Sequence, residues 1–213
     1  MKKKYLGRIL SIGINEKGPY VAYRLSSRSF PNRMVQHHTT DNTVSIVPKP
    51  GYEKDIYSNP YIVYNCIRFI GDTVIVSNGS HTDVIVDKLE SGMNSRDAIA
   101  FSLLTIGHER DDYNTPRIAG IMTPDGEGYI GIITHEKIIV EKLEKNQSYY
   151  ISTYEDIYPM PIDFEASTAA ESSKYIISGG VFSYFTNAVG SVSAVYEDGK
   201  WDIDVINLNR TMD

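Results

Sequence analysis

Cysteine is nearly missing from this chain: Cys66 stands alone among 213 residues. No intramolecular disulfide can form, and a reducing compartment, the cytoplasm, is the expected setting. An excess of basic residues is missing too. Lys and Arg number 21 against 27 Asp and Glu, a formal net charge of -6. That balance argues against a nucleic-acid polymer as partner, because such binding needs a basic face to neutralise a row of phosphates. A single nucleotide is still compatible with it, since one phosphate needs only a few local donors. Long apolar runs are also lacking. No stretch could span a bilayer, so no membrane partner is expected. Met1-Lys2-Lys3-Lys4 is followed by Gly7, Arg8, Ser11, Gly13 and Asn15, not by the apolar core of a signal peptide. There is no Walker loop, no Rossmann glycine pattern after a strand, no zinc-type cysteine set and no nucleophile elbow. His37-His38 and the pair His81 and Asp83 lack a third ligand at a recognised spacing, so no metal is expected. No organic cofactor is evident either.

What is present is mostly strand-like. Tyr5 to Ile14, Tyr20 to Leu25, Thr43 to Val47, Tyr61 to Ile70 and Thr73 to Ser77 are rich in Val, Ile and Tyr with partial alternation. Gly71-Asp72, Asp125-Gly126 and Asp198-Gly199 each join two such runs, the later pairs being Arg117–Met122 with Tyr129–His135 and Ser191–Tyr196 with Lys200–Val205. Three hairpins predict a mainly antiparallel sheet. Two helices are predicted. One is capped by Ser95 and runs to about His108, with apolar residues most of the way round, as suits a helix covered on more than one side. The other begins at Thr168, with Glu171 at capping-box spacing, and stops at Gly179-Gly180. Pro48–Pro60 and Tyr154–Phe164 read as surface excursions. Strand patterns resume on both sides of each, so residues 1–213 are expected to form one α+β domain with helices on the outer faces of sheets.

Four clusters could carry chemistry. Arg24, Arg28 and Arg33 are interleaved with Ser26, Ser27, Ser29 and Asn32, directly after a strand. Guanidinium matches phosphate oxygens in pairs, and short hydroxyls add donors, so this run predicts a pocket for a small phosphorylated ligand. Tyr64-Asn65-Cys66 lies inside an apolar strand, where Tyr64 and Asn65 must face opposite ways and Cys66 shares the face of Tyr64. A lone cysteine without a flanking base reads as packing. Asn78-Gly79-Ser80-His81-Thr82-Asp83 follows a strand and reads as a polar loop. Glu109-Arg110-Asp111-Asp112-Tyr113-Asn114-Thr115-Pro116-Arg117 places three carboxylates after a helix, where the macrodipole disfavours them. Glu109 is a candidate general base.

Taken together these clusters resemble the archaeal-type IMP cyclohydrolases. The matching blocks are Arg24–Arg33, Asp41–Val44, Asn59–Cys66, Ser77–Asp83 and Asp111–Arg117, in family order across the first two thirds of the chain. The resemblance implies a four-layer αββα sandwich of two mainly antiparallel sheets, like the N-terminal nucleophile hydrolases. It implies ring closure of 5-formamidoimidazole-4-carboxamide ribonucleotide to inosine monophosphate, with loss of water, in de novo purine biosynthesis. One departure matters: hydrolases of that fold use a terminal Cys, Ser or Thr, whereas this sequence opens Met1-Lys2-Lys3. For the phosphate the candidates are Arg24, Arg28 and Arg33 with Ser27, although alternation along a strand forbids all of them from facing one way. Tyr64 and His81 are candidate proton donors, Glu109 and Asp112 candidate bases. Asn65, Asn78 and Arg117 are candidate ribose or base contacts. Such an intramolecular condensation requires neither metal nor redox cofactor, and the expected partner is a small purine ribonucleotide. The abundant tyrosines are compatible with a homo-oligomer. Two alternatives stay open: a nucleotide or amide hydrolase on the same fold, and a non-enzymatic module that binds a purine nucleotide.

Overall fold

Alternating apolar side chains produce thirteen strands among the described residues, which in this computed structural model are 3–208. Met1 and Lys2, which bear on the expected lack of a terminal nucleophile, lie outside them. The first sheet uses β1 (Ile9–Ile14), β2 (Pro19–Ser26), β10 (Ser148–Ser152), β11 (Met160–Ile162), β12 (Ala188–Glu197) and β13 (Lys200–Asn207), in the order β11-β10-β1-β2-β12-β13. The second runs in sequence order through β3 (Arg33–His38), β4 (Thr43–Pro48), β5 (Tyr64–Ile70), β6 (Thr73–Ser77), β7 (Arg117–Met122), β8 (Gly128–Ile133) and β9 (Ile138–Lys142). Every strand pairing in both sheets is antiparallel.

β2 shows why the sheets stack. All eight of its residues are buried. Val21, Tyr23 and Leu25 point into the apolar layer shared with Val44, Ile46, Cys66, Val76 and Ile118 of the other sheet. Tyr20 and Ala22 point outward under α4 (Ala169–Ser178), against Ile176, Phe164 and Phe182. The outer face of the second sheet is covered by α2 (His81–Glu90) and α3 (Ser95–Ile106), through Ile75, Ala119 and Ile121 against Ile85, Ile99 and Leu103. The layers are therefore α4, first sheet, second sheet, and α2 with α3: the αββα sandwich.

All three hairpins form. Thr73 pairs with Ile70 across Gly71-Asp72, and Lys200 with Glu197 across Asp198-Gly199. Asp198 and Gly199 both have positive φ, 52° and 80°, the backbone a tight two-residue hairpin requires. The capping box at Thr168 and Glu171 is made.

Other expectations need correction. The first strand begins at Ile9, not Tyr5, because Gly7 turns the chain into the left-handed region (φ 72°) beneath Thr153 and Tyr154. The run predicted from Tyr61 begins at Tyr64, because Pro60 opens a 3-10 turn through Ile62 that Asn59 caps. Asn94, not Ser95, caps α3, which stops at Ile106. That helix is covered on one side only: Phe101 and Leu104 are 52% and 59% exposed. The Asn78–Asp83 segment is not a loop throughout, since His81 opens α2. Within the Pro48–Pro60 excursion a single helical turn forms, α1 (Asp55–Ser58).

Candidate active site

Arg8 leads into β1, β2 runs out at Ser26, and Arg33, Tyr64 and Arg117 each open a strand of the second sheet. Of these, Arg8 and Arg33, with the turn after β2, the 58–62 turn and the 109–113 loop, line a cleft of about 820 Å³. That volume lies within the range typical of small-molecule sites, roughly 300–1,000 Å³. Its walls carry Tyr5, Arg8, Ser27, Arg28, Arg33, Tyr61, Glu109, Asp111, Asp112, Tyr113 and Tyr154. A second groove of about 780 Å³ holds Glu16, Asp163 and Glu165 and no cationic side chain. It would repel a phosphate.

Glu109 is the electrostatic centre of the cleft. Its carboxylate lies 3.2 Å from the Arg8 guanidinium and 3.9 Å from that of Arg117. Burial lifts the Glu109 carboxyl above its ordinary value, and the two arginines only partly offset this. Burial likewise opposes the charge on Arg8, but Glu109, Tyr64 and Tyr23 outweigh it and hold that guanidinium firmly protonated. Arg33, buried on the opposite wall, donates from Nε to the Phe30 carbonyl. Buried Arg33 and Arg117 and the half-buried Arg8 therefore surround one buried carboxylate, a surplus of positive charge that an anionic ligand would balance. The buried Nε atoms of Arg8 and Arg117 have no hydrogen-bond partner among the described residues. At the rim, the Arg28 guanidinium lies 4.1 Å from the centre of the Tyr5 ring. The Ser27 hydroxyl accepts from the Phe30 amide and so shapes the turn carrying Arg28.

Tyr64 reaches across the two sheets, its hydroxyl 2.7 Å from that of Tyr23. Burial raises its pKa, while Arg33 and Arg8 pull the other way. The phenol thus keeps its proton at neutral pH and can donate it in a hydrogen bond. Cys66 faces the same interior, and burial pushes its thiol far above the usual range.

Six residues singled out from sequence do not line the cleft, Tyr64 being the first of them. Arg24 points to the opposite side of its sheet. Its guanidinium donates to the carbonyls of Ile176, Ile177, Phe182, Phe185 and Thr186, and Nε to Ser26 Oγ. It holds the C-terminal end of α4 and cannot reach a phosphate in the cleft. Asn65 faces α2, donating to Asp83 and accepting from Ser45. Asn78 staples β6 to the start of β7, donating to the Pro116 carbonyl and accepting from the Ile118 amide. Arg117 stands behind Glu109, its guanidinium 5.5 Å from the Tyr61 ring. A Cβ at Gly79 would sit 2.3 Å from Arg117 Nη1 and push that guanidinium aside.

His81 is fully buried, with Nε2 2.9 Å from the Ile118 carbonyl and Nδ1 3.5 Å from Arg117 Nη1. Nε2 must carry the proton, so Nδ1 offers a lone pair to Arg117. Burial, with Arg117 beside it, lowers the imidazole pKa from 6.5 to about 3. His81 is thus a neutral orienting group, not the proton donor expected. Between those pH values the unfolded chain binds the extra proton, so stability should fall as pH drops from 6.5 towards 3, by about 1.4 kcal/mol per pH unit. An NMR titration of the ring should show no protonation down to about pH 5. A midpoint near 6.5 would overturn the assignment.

Arg8, Tyr61 and Tyr154 are cleft residues that sequence reasoning missed. Gly7-Arg8 interrupting an apolar run was the available signal for Arg8, because a glycine there breaks the strand just before a charged side chain. Nothing local marks Tyr154, which chain topology alone brings to the cleft.

A family model described as IMP cyclohydrolase-like protein matches residues 5–200. An IMP cyclohydrolase from Methanosphaera stadtmanae is 52% identical over 203 residues, covering 95% of this chain and 99% of that protein. IMP cyclohydrolases from Methanocaldococcus jannaschii and Halobacterium salinarum are 42% and 39% identical. They cover 92% and 95% of this chain, and 96% and 98% of their own lengths. Among solved structures, the Gly-1 mutant of Anbu from Hyphomicrobium sp. strain MC1 overlays with a TM-score of 0.39 at 12% identity, covering 94% of this chain and 88% of that one. The layer order above rests on this chain's own strand pairing and helix packing.

Proposed function

This chain belongs to the IMP cyclohydrolase family, and we propose that the arginine-rich cleft is where it closes 5-formamidoimidazole-4-carboxamide ribonucleotide to inosine monophosphate with release of water. The observation that carries the placement is the surplus of guanidinium around one buried carboxylate: buried Arg33 and Arg117 and half-buried Arg8 around Glu109. A ribonucleotide phosphate would supply the missing negative charge. Arg33 and Arg28, with Ser27 in the turn between β2 and β3, form its binding wall.

The chemistry then follows from what surrounds the reacting atoms. The carboxamide nitrogen attacks the formyl carbon, forming the new C–N bond and placing negative charge on the formyl oxygen. The Arg8 guanidinium on the cleft wall is suited to stabilise that oxygen, and the buried Tyr64 phenol lies in the field of Arg8 and Arg33. Glu109 takes a proton from the attacking nitrogen and passes it to the formyl oxygen, giving a hydroxyl. It then takes the formamido N–H proton and delivers it to that hydroxyl, which leaves as water as the C–O bond breaks and the ring C=N bond forms. A carboxyl that burial lifts above its ordinary value is a better proton acceptor than a free one. Holding the two arms of the substrate together in one cleft supplies several kcal/mol of the barrier lowering. Asp112, exposed at the rim, is poorly placed for the base role and would contact solvent-facing parts of the ligand.

Purified protein mixed with the formylated ribonucleotide should generate the hypoxanthine chromophore faster than buffer alone; an equal rate rejects the proposal. A hydrolase using Cys66 would need a thiolate, which burial disfavours. Cys66→Ala should therefore keep kcat within about threefold, at a stability cost of about 1 kcal/mol for the small cavity. Loss of turnover in a folded Cys66→Ala protein would favour the hydrolase.

A further inference from the structure

Beside the direct Arg8–Glu109 ion pair, the 109–117 loop is joined to Tyr154, just beyond β10, by a chain of side-chain hydrogen bonds. Thr115 Oγ1 donates to Asp111 Oδ2 at 2.7 Å, while Asp111 Oδ1 accepts the Thr115 amide at 2.8 Å. Thr115 Oγ1 also lies 2.8 Å from the Tyr154 hydroxyl. A carboxylate only accepts, so the one hydroxyl hydrogen of Thr115 is committed to Asp111. Tyr154 must then be the donor to Thr115, and the chain runs one way.

Each end is tied to a charged group of the cleft. Glu109 donates its amide to the Thr115 carbonyl at 2.8 Å, so the position of Thr115 sets that of Glu109. Tyr154 and Thr153 pair with the chain around Arg8: the Tyr154 amide to the Leu6 carbonyl, the Thr153 amide to the Arg8 carbonyl, and the Arg8 amide to Thr153 Oγ1. Thr115 is fully buried, and a hydrogen bond there is shielded from water.

We propose that Asp111, Thr115 and Tyr154 form a one-way strut that fixes the spacing between Arg8 and Glu109, making Asp111 and Thr115 positioning residues for ring closure. The inference rests on the placement of that reaction in the cleft. Neither residue needs to touch the substrate. Thr115→Val keeps the side-chain shape and removes both bonds of the strut. It should lower kcat by about 10- to 100-fold, as expected for a small misplacement of reacting groups. KM for the ribonucleotide should change little, and the acid limb of the kcat–pH profile should move as the Arg8–Glu109 spacing relaxes. Thr115→Ser, which keeps the hydroxyl, should restore both. Asp111→Asn offers an amide donor to Thr115, turning the threonine hydrogen towards Tyr154. With the loop still tethered, this reversal should cost about two- to tenfold in kcat.

An unchanged kcat and pH profile in Thr115→Val, with the wild type active, overturns the strut alone. Equal losses in the Ser and Val variants that track melting temperature also overturn it, as a merely structural effect. Should Thr115→Val not fold, an unchanged kcat in Asp111→Asn overturns it. A wild-type protein no faster than buffer removes the ring-closure reading, and the strut with it.

Discussion

Glu109→Gln should lower kcat by about two to four orders of magnitude, the range expected when a positioned acid–base group is lost. The amide cannot take a proton from the attacking nitrogen, but it occupies nearly the same space. KM should stay level or fall, because removing the only carboxylate between Arg8 and Arg117 makes the cleft more attractive to a phosphate. A drop in kcat without a rise in KM marks an interaction made in the transition state and not in the ground state. The wild-type profile should also lose rate as pH falls through a Glu109 pKa lying above the ordinary carboxyl value, and the Gln variant should lack that limb. Two uncompensated guanidinium groups will lower stability, and a bound nucleotide should recover part of it. Steady-state kinetics from pH 4 to 9 check all of this. A kcat within about threefold of wild type would remove Glu109 from the mechanism.

The largest stability effect should come from outside the cleft. Arg24→Met keeps most of the side-chain volume but leaves the carbonyls of Ile176, Ile177, Phe182, Phe185 and Thr186 without their shared donor. Two of these belong to the last turn of α4, where helix carbonyls lack internal partners and a cation is favourable. Breaking such a buried cluster on one side costs about 3–5 kcal/mol. For a domain of this size that is a fall in melting temperature of roughly 6–20 °C. Thermal unfolding followed by circular dichroism measures it. In the surviving folded fraction KM should match wild type, because Arg24 and the cleft lie on opposite faces of β2. A normal melting temperature with a raised KM would return Arg24 to the phosphate.

These two residues show where one-dimensional reading stops. Arg24, Arg28 and Arg33 look alike in sequence, and strand alternation already requires that they cannot all face one way. Which of them turns outward depends on which face of β2 meets the second sheet. Tyr23 and Leu25 take that face, and Arg24 is sent to α4. His81 has the same history. Beside Gly79 and Ser80 it looks like a polar loop residue. The buried set His81, Thr82, Ile85 and Val86 has the spacing of a helix face, and that spacing was the overlooked signal. Arg8 and Tyr154 are 146 positions apart, and their meeting depends on β10 pairing with β1.

The amino-acid order alone determined the antiparallel hairpins, the α4 cap and the cationic, hydroxyl-rich composition of the Arg24–Arg33 run, because turn geometry, capping and charge act over a few residues. Tertiary structure decided which guanidinium groups share a cleft, which histidine stays neutral and which carboxyl is lifted towards neutrality. Burial and facing are properties of packed layers, and the energies they impose on a charge exceed anything its sequence neighbours can exert.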